Sequence, residues 1–131
     1  MGTRRVPVLS ETWSEELRLQ AFPVNSWAWL VRIQGPVDAS NVELLEGALE
    51  QVLARGVSRI AIDLGDVPHM SSAAYGCLLV AADRVRRNGG LLVVARASVA
   101  IREVFHLLGI SESVSFVDDF IAARVRLGRK G

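Results

Sequence analysis

The chain has 131 residues, a formal net charge of +1 and one cysteine, and half of its residues are hydrophobic. This size and composition predict one globular domain, and they exclude a disordered chain and one held by internal disulfides. A nearly balanced charge gives no reason to expect a nucleic-acid partner. No apolar run approaches the roughly 20 residues of a membrane-spanning helix, and the first residues lack the apolar core of a signal peptide. We therefore expect a cytoplasmic domain that does not insert into a membrane.

The N-terminal part predicts a β-hairpin. Residues 1–14 are polar and mixed and are interpreted as a flexible leader, and residues 15–127 as the domain. Residues 16–22 alternate between apolar and polar side chains at the period of a strand, and residues 27–33 form an apolar strand after a short turn. We expect the two strands to pair antiparallel, with residues 16–22 at an exposed edge of the sheet.

The rest of the chain alternates between helical and strand patterns. Apolar residues recur at helical spacing in four stretches and form short continuous runs in three. The predicted helices cover residues 42–53, 74–85, 101–108 and a last stretch from 118, and the predicted strands cover residues 58–64, 91–95 and 113–117. The order ββαβαβαβα predicts the α/β class: a single domain with a mixed, largely parallel sheet covered by helices.

Signatures of catalysis and of cofactor or metal binding are missing from the sequence. There is no phosphate-binding loop and no dinucleotide fingerprint, and His69 and His106 lie far apart without metal-ligand spacing. Cys77 falls on the predicted inward stripe of a helix, where a thiol is usually inert packing. We therefore expect no catalytic residue, cofactor or metal ion.

The run from Met70 to Leu78 places two hydroxyls, those of Ser71 and Ser72, where a strand is followed by a helix. The start of a helix exposes backbone N–H groups and the positive end of the helix dipole. Two uses of the serines stay open at this point: a helix cap, or a hydroxyl offered to a kinase. A phosphate at Ser72 would add about −1.5 to −2 charges to the surrounding surface. Such a charge would disrupt an apolar partner interface, which is the behaviour of a switch.

Five segments carry a resemblance to a known family. They are Gly35-Pro36-Val37-Asp38, Asp63-Leu64-Gly65-Asp66-Val67, Met70 to Leu78, Gly89-Gly90 before an apolar strand, and Val104 to Ile110. In this order and spacing they resemble the STAS domain family, the fold of bacterial anti-sigma factor antagonists. The resemblance covers about residues 15–125, the extent of one domain.

The resemblance implies a regulatory function. In that family a serine or threonine is phosphorylated by a partner anti-sigma factor with kinase activity, and phosphorylation blocks binding of that partner. The position that matches the acceptor is Ser72, with Ser71 as the second choice. The implied protein partner is an anti-sigma factor with kinase activity, and the chain is expected to be a monomer or a weak homodimer. The residues expected to bind the partner are Asp38, His69, Met70, Ser71, Ser72, Ala73 and Tyr75.

The chain departs from the family motif beside the acceptor. Ser71 replaces an aspartate, Ala73 and Ala74 replace a hydroxyl residue and a glycine, and Tyr75 replaces a small aliphatic residue. Two functions therefore stay open. Ser72 is a working acceptor in a partner-switching regulator, or the domain is a non-phosphorylated scaffold or a subunit of a membrane transport complex.

Overall fold

The computed structural model describes residues 10–13 and 16–128. Its strands are β1 (Ser10–Trp13), β2 (Arg18–Asn25), β3 (Ala28–Gln34), β4 (Arg59–Asp66), β5 (Leu91–Ala95) and β6 (Ser115–Val117). Its helices are α1 (Val42–Leu53), α2 (Ser72–Arg87), α3 (Val99–Leu107) and α4 (Phe120–Gly128), with a 3₁₀ turn at Ser111–Ser113. The six strands form one sheet in chain order. Strands β1 to β3 pair antiparallel and β3 to β6 pair parallel, which confirms the predicted mixed sheet.

Strand β1 was not predicted. It lies within the segment interpreted as a flexible leader and pairs antiparallel with β2, with Ser10 opposite Ala21 and Trp13 opposite Arg18. The element order is therefore βββαβαβαβα, and β2 is not an exposed edge strand because it is paired on both sides. Four residues are too short to show a clear apolar alternation, so the sequence pattern alone does not reveal this strand.

Different helices pack against the two faces of the sheet. On one face the predicted inward set Leu17, Leu19 and Ala21 is buried, together with residues from α1, α2 and α3, in the main core. On the other face a smaller cluster of strand residues is closed by Leu127 of α4. Because β3, β4 and β5 run parallel, their carboxyl ends meet at one edge of the sheet, and the loops that follow β3 and β4 lead directly into α1 and α2.

Candidate functional site

The candidate site is built from two loops that follow neighbouring parallel strands. Residues 35–41 join β3 to α1, and residues 67–71 join β4 to α2. The Val37 N–H donates a hydrogen bond to the His69 carbonyl at 3.2 Å, and the Ser71 N–H donates to the Val37 carbonyl at 2.8 Å. Val37 and Met70 thus form an isolated parallel bridge. These bonds bring Asp38 and the serine pair, more than 30 residues apart in the chain, to one surface.

Two residues of the loop 35–41 determine its conformation. Gly35 has a φ of +106°, and a Cβ at this position would collide with the backbone carbonyl of Glu16, so only glycine fits the turn. The buried Asn41 side chain accepts the Asp38 N–H at 2.9 Å and donates to the Pro36 carbonyl at 3.0 Å. The loop therefore presents Asp38 in a defined position.

Asp38 is a carboxylate with strong local donors. Its Oδ1 accepts hydrogen bonds from the Ser40 hydroxyl at 2.6 Å and from the Ser40 N–H at 2.9 Å. The Ser40 hydroxyl is the largest of the effects that hold the pKa of Asp38 below its ordinary value, and the charge of nearby His69 adds a smaller effect in the same direction. Asp38 is therefore ionised at neutral pH and supplies a negative charge at the site.

We expect the substitution Ser40→Ala to raise the pKa of Asp38 toward its ordinary value, because the variant lacks the strongest donor to the carboxylate. Because its pKa is lowered in the folded chain, the Asp38 carboxyl stabilises the fold at pH values above its unfolded-state pKa. This stabilisation is lost as the pH falls through the folded-state pKa. A carbon-detected NMR titration of the Asp38 carboxyl measures the change. The matched control is Ser98→Ala, which removes a capping hydroxyl elsewhere and should leave the Asp38 titration unmoved. An Asp38 pKa that is the same in wild type and Ser40→Ala would contradict this account.

The two serines have different surroundings. Ser71 is the N-cap of α2, and its Oγ accepts a hydrogen bond from the Ala74 N–H at 3.4 Å. Ser72 is the first residue of the helix, its side chain is exposed, and its hydroxyl makes no hydrogen bond with any residue that the structure describes. Capping therefore falls to Ser71, and the Ser72 hydroxyl is accessible.

The other predicted residues divide into surface and core. His69 and Ala73 are exposed, and Met70 is half-buried against the main core. Tyr75 was expected at the binding surface, but it is only 4% exposed. Its ring packs edge-on against Phe105 of α3, with 5.1 Å between the ring centroids. Tyr75 is therefore a core residue and not part of the exposed surface.

A charged cluster at the end of β4 was missed by the sequence analysis. The Asp63 side chain is 1% exposed, and both of its oxygens accept hydrogen bonds from the Arg96 guanidinium at 3.0 Å. The Gly65 N–H also donates to Asp63 Oδ1, at 3.0 Å. These contacts raise the pKa of Arg96, with the hydrogen bonds to Asp63 as the largest cause.

Arg96 connects the end of β4 to the start of α4. Its guanidinium lies against Gly65, where a Cβ would collide with it, and 4.7 Å from the centroid of the Phe120 ring at the start of α4. Arg96 itself has a φ of 59°, a left-handed conformation that is uncommon for arginine. The Asp63–Arg96 pair thus fixes the beginning of the segment that leads into the loop 67–71.

Within residues 10–13 and 16–128, no helix combines the length and the apolar character needed to span a bilayer. The same part of the chain holds no group of three or more His, Cys, Asp or Glu side chains placed to bind a metal ion.

Comparison with known proteins places this fold in a family. The model of the STAS domain matches residues 22–123. BtrV of Bordetella bronchiseptica, which is named as an anti-sigma factor antagonist, is 35% identical over 77 residues. That match covers 59% of this chain and 66% of BtrV, slightly less than two thirds of the relative.

Solved structures share the fold at low sequence identity. An anti-sigma factor antagonist from Mycobacterium paratuberculosis superposes with a TM-score of 0.76 at 19% identity, over 86% of this chain and 95% of that one. The Bacillus cell fate determinant SpoIIAA, in its phosphorylated form, superposes with a TM-score of 0.69 at 20% identity, over 85% and 99% of the two chains. The shared fold and the family match over most of the sequence lead to one conclusion: this chain belongs to the STAS domain family.

Proposed function

We propose that the chain is an anti-sigma factor antagonist whose binding to a kinase-type anti-sigma factor is controlled by phosphorylation of Ser72. The binding surface consists of the loops 35–41 and 67–71 and the first turn of α2. One observation carries the proposal: Ser71 takes the capping role, and Ser72, at the position that matches the family's acceptor, keeps an exposed hydroxyl without a described hydrogen-bond partner. The name of BtrV supports the same function.

The local electrostatics suit a reversible phosphate. Ser72 is the first residue of α2, where the positive end of the helix dipole stabilises an added negative charge. The first turn of α2 contains no acidic residue that would repel it. The folded chain therefore tolerates the phosphate. The phosphate instead weakens partner binding, because the interface would have to bury an added charge.

The serine at position 71 preserves the cap without a carboxylate. Serine and aspartate are about equally good N-cap residues, so Ser71 supports the helix as an aspartate would. The difference is electrostatic, because the acceptor hydroxyl lies beside a neutral side chain. Asp38 then supplies the nearby negative charge of the site, from the adjacent loop. This arrangement favours a partner whose recognition of the acceptor does not depend on an acidic residue at position 71.

The proposal predicts one phosphate, on Ser72, when the chain is incubated with a kinase-type anti-sigma factor, ATP and Mg²⁺. Ser72→Ala should take up no phosphate. Ser71→Ala should still be phosphorylated, although loss of its cap lowers the free energy of unfolding by about 1 kcal/mol. Mass spectrometry of the intact chain and of its peptides measures both outcomes.

Two results would count against the proposal. Equal phosphorylation of the wild type and Ser72→Ala would remove Ser72 as the acceptor. Stable binding of an active kinase with no phosphate transfer would favour the alternative function, a non-phosphorylated scaffold or transport-complex subunit that uses the same surface.

A further inference from the structure

A groove of about 350 Å³ lies between α1 and α2. Its walls are mostly apolar: Val42, Leu49 and Leu53 from α1, and Ala73, Cys77 and Val80 from α2. The three residues of α2 follow at spacings of four and three, so they form one continuous stripe on that helix. Ala73 and Val80 are exposed and Cys77 is half-buried. Cys77 packs against the main core, as its predicted inward position implies, and it also lines the groove.

The groove adjoins the candidate site. Ala73 follows Ser72 directly, and Gly76 lies one turn further along the same helix and also lines the groove. A protein that contacts the Ser72 hydroxyl is therefore also next to the groove. The two features form one continuous surface along α2.

The charge of the groove is negative. Glu46 and Glu50 of α1 are its charged lining residues. Glu50 is paired with Arg84 at 2.6 Å, whereas Glu46 forms no ion pair with any residue in the described ranges. The Glu46 charge reaches the groove, because it adds to the effect of burial in raising the pKa of the Cys77 thiol. The groove thus combines an apolar wall with one uncompensated carboxylate.

We infer that this groove receives a short amphipathic helix of the protein partner, with apolar side chains against α1 and α2 and a lysine or arginine opposite Glu46. Helices bind grooves of this kind through apolar residues at spacings of three and four, and charge complementarity sets their orientation. The inference deepens the proposed function and rests on it for the identity of the partner. The groove itself is testable without that partner.

Two glycines make a matched pair of variants. A Cβ at Gly76 or at Gly47 would meet nothing within 4 Å, so both positions accept a side chain without a clash. Gly76 lines the groove, and Gly47, in the interior of α1, does not. Replacing a helix-interior glycine with leucine improves helix propensity by a few tenths to about 1 kcal/mol. Gly76→Leu and Gly47→Leu should therefore both fold, and only the first should fill the groove.

The probe is a fluorescein-labelled amphipathic peptide of about 14 residues, or four helical turns, with leucines on one face and lysines on the other. Fluorescence anisotropy should show at least about tenfold weaker binding to Gly76→Leu than to wild type, and unchanged binding to Gly47→Leu. Glu46→Lys should also weaken binding. A peptide with glutamates in place of the lysines should prefer Glu46→Lys to wild type. Bound lysine peptide should slow alkylation of Cys77 by N-ethylmaleimide.

Three results would overturn the inference. The first is an equal loss of peptide affinity in Gly76→Leu and Gly47→Leu. The second is equal binding of the acidic and basic peptides to wild type. The third is a rate of Cys77 alkylation that bound peptide leaves unchanged. The outcome is separable from that of the proposed function. If Ser72 takes up no phosphate while the peptide contrasts hold, the proposed function fails and the groove stands. If Ser72 is phosphorylated but neither peptide nor kinase binding responds to Gly76→Leu, the groove assignment fails alone.

Discussion

Replacing Arg96 with glutamine is expected to lower the free energy of unfolding by about 3 kcal/mol, because the buried Asp63 carboxylate loses the charged partner that forms hydrogen bonds with both of its oxygens. Arg96 contacts both Asp63 oxygens at 3.0 Å. The other arginine near Asp63, Arg32, lies 3.8 Å away, with its Nε making no hydrogen bond to a described residue. The variant also removes the guanidinium beside the Phe120 ring. Urea denaturation of the wild type and the variant measures the loss.

Arg102 provides a control with the same chemistry at the surface. It pairs with Asp118 at 3.3 Å and lies 5.0 Å from the centroid of the Phe116 ring, as Arg96 does with Asp63 and Phe120. The Asp118 side chain, however, is 90% exposed. Exposed ion pairs contribute about 0 to 1 kcal/mol, so Arg102→Gln should change stability by no more than that. Equal losses of unfolding free energy in Arg96→Gln and Arg102→Gln would contradict the claim that burial of Asp63 makes its pairing with Arg96 important for stability.

A carboxylate at position 72 is expected to weaken partner binding by about 100-fold, which corresponds to about 2.7 kcal/mol. Ser72→Asp places a negative charge in the proposed interface, where an unpaired charge is costly to desolvate. The fold should tolerate the variant, because an acidic residue in the first turn of a helix is stabilising by about 0.3–1 kcal/mol. Isothermal titration calorimetry with the unphosphorylated chain and the kinase-type anti-sigma factor gives the affinities.

Val99→Asp is the matched control for this experiment. Val99 is the first residue of α3 and follows an N-cap serine, Ser98, whose Oγ accepts the Ile101 N–H at 3.2 Å. It is 81% exposed and belongs to neither loop of the candidate site. Asp at either position meets the same helix dipole, so Val99→Asp should bind the partner as the wild type does. A similar loss of affinity in both variants, or in neither, would contradict the proposed interface.

Much of the fold was predictable because the elements carry strong local patterns. β4 and β5 are short runs of buried residues, and α1 shows apolar residues at helical spacing, so their existence and order follow from the chain alone. Strand β1 is defined by its pairing with β2, which no local pattern of four residues reveals. The inward face of α2 differs from the predicted one: it includes Tyr75, and it leaves Cys77 only half-buried. Tyr75 points inward because Phe105 of α3 offers an aromatic partner, a contact that depends on tertiary packing.

The residues of the candidate site were predictable from the sequence, but the contacts that hold them in place were not. The family motif locates Ser72 and Asp38, but the division of roles between Ser71 and Ser72 needs the backbone geometry at the start of α2. The Asp63–Arg96 pair joins residues 33 positions apart. It depends on the parallel register that sets Asp63 opposite Ala95, the residue before Arg96. Neither the amino-acid composition nor the hydrophobic periodicity of the chain reveals that register.

The most direct test of the central claim is a comparison of affinities for the kinase-type anti-sigma factor, measured by calorimetry with the unmodified chain and with the chain phosphorylated on Ser72. We expect the unmodified chain to bind and the phosphorylated chain to bind about 100-fold more weakly or not at all. Ser72→Ala should bind like the unmodified chain and stay bound when ATP and Mg²⁺ are added. Equal affinities of the two forms would contradict the account, because the phosphate at Ser72 would then control nothing.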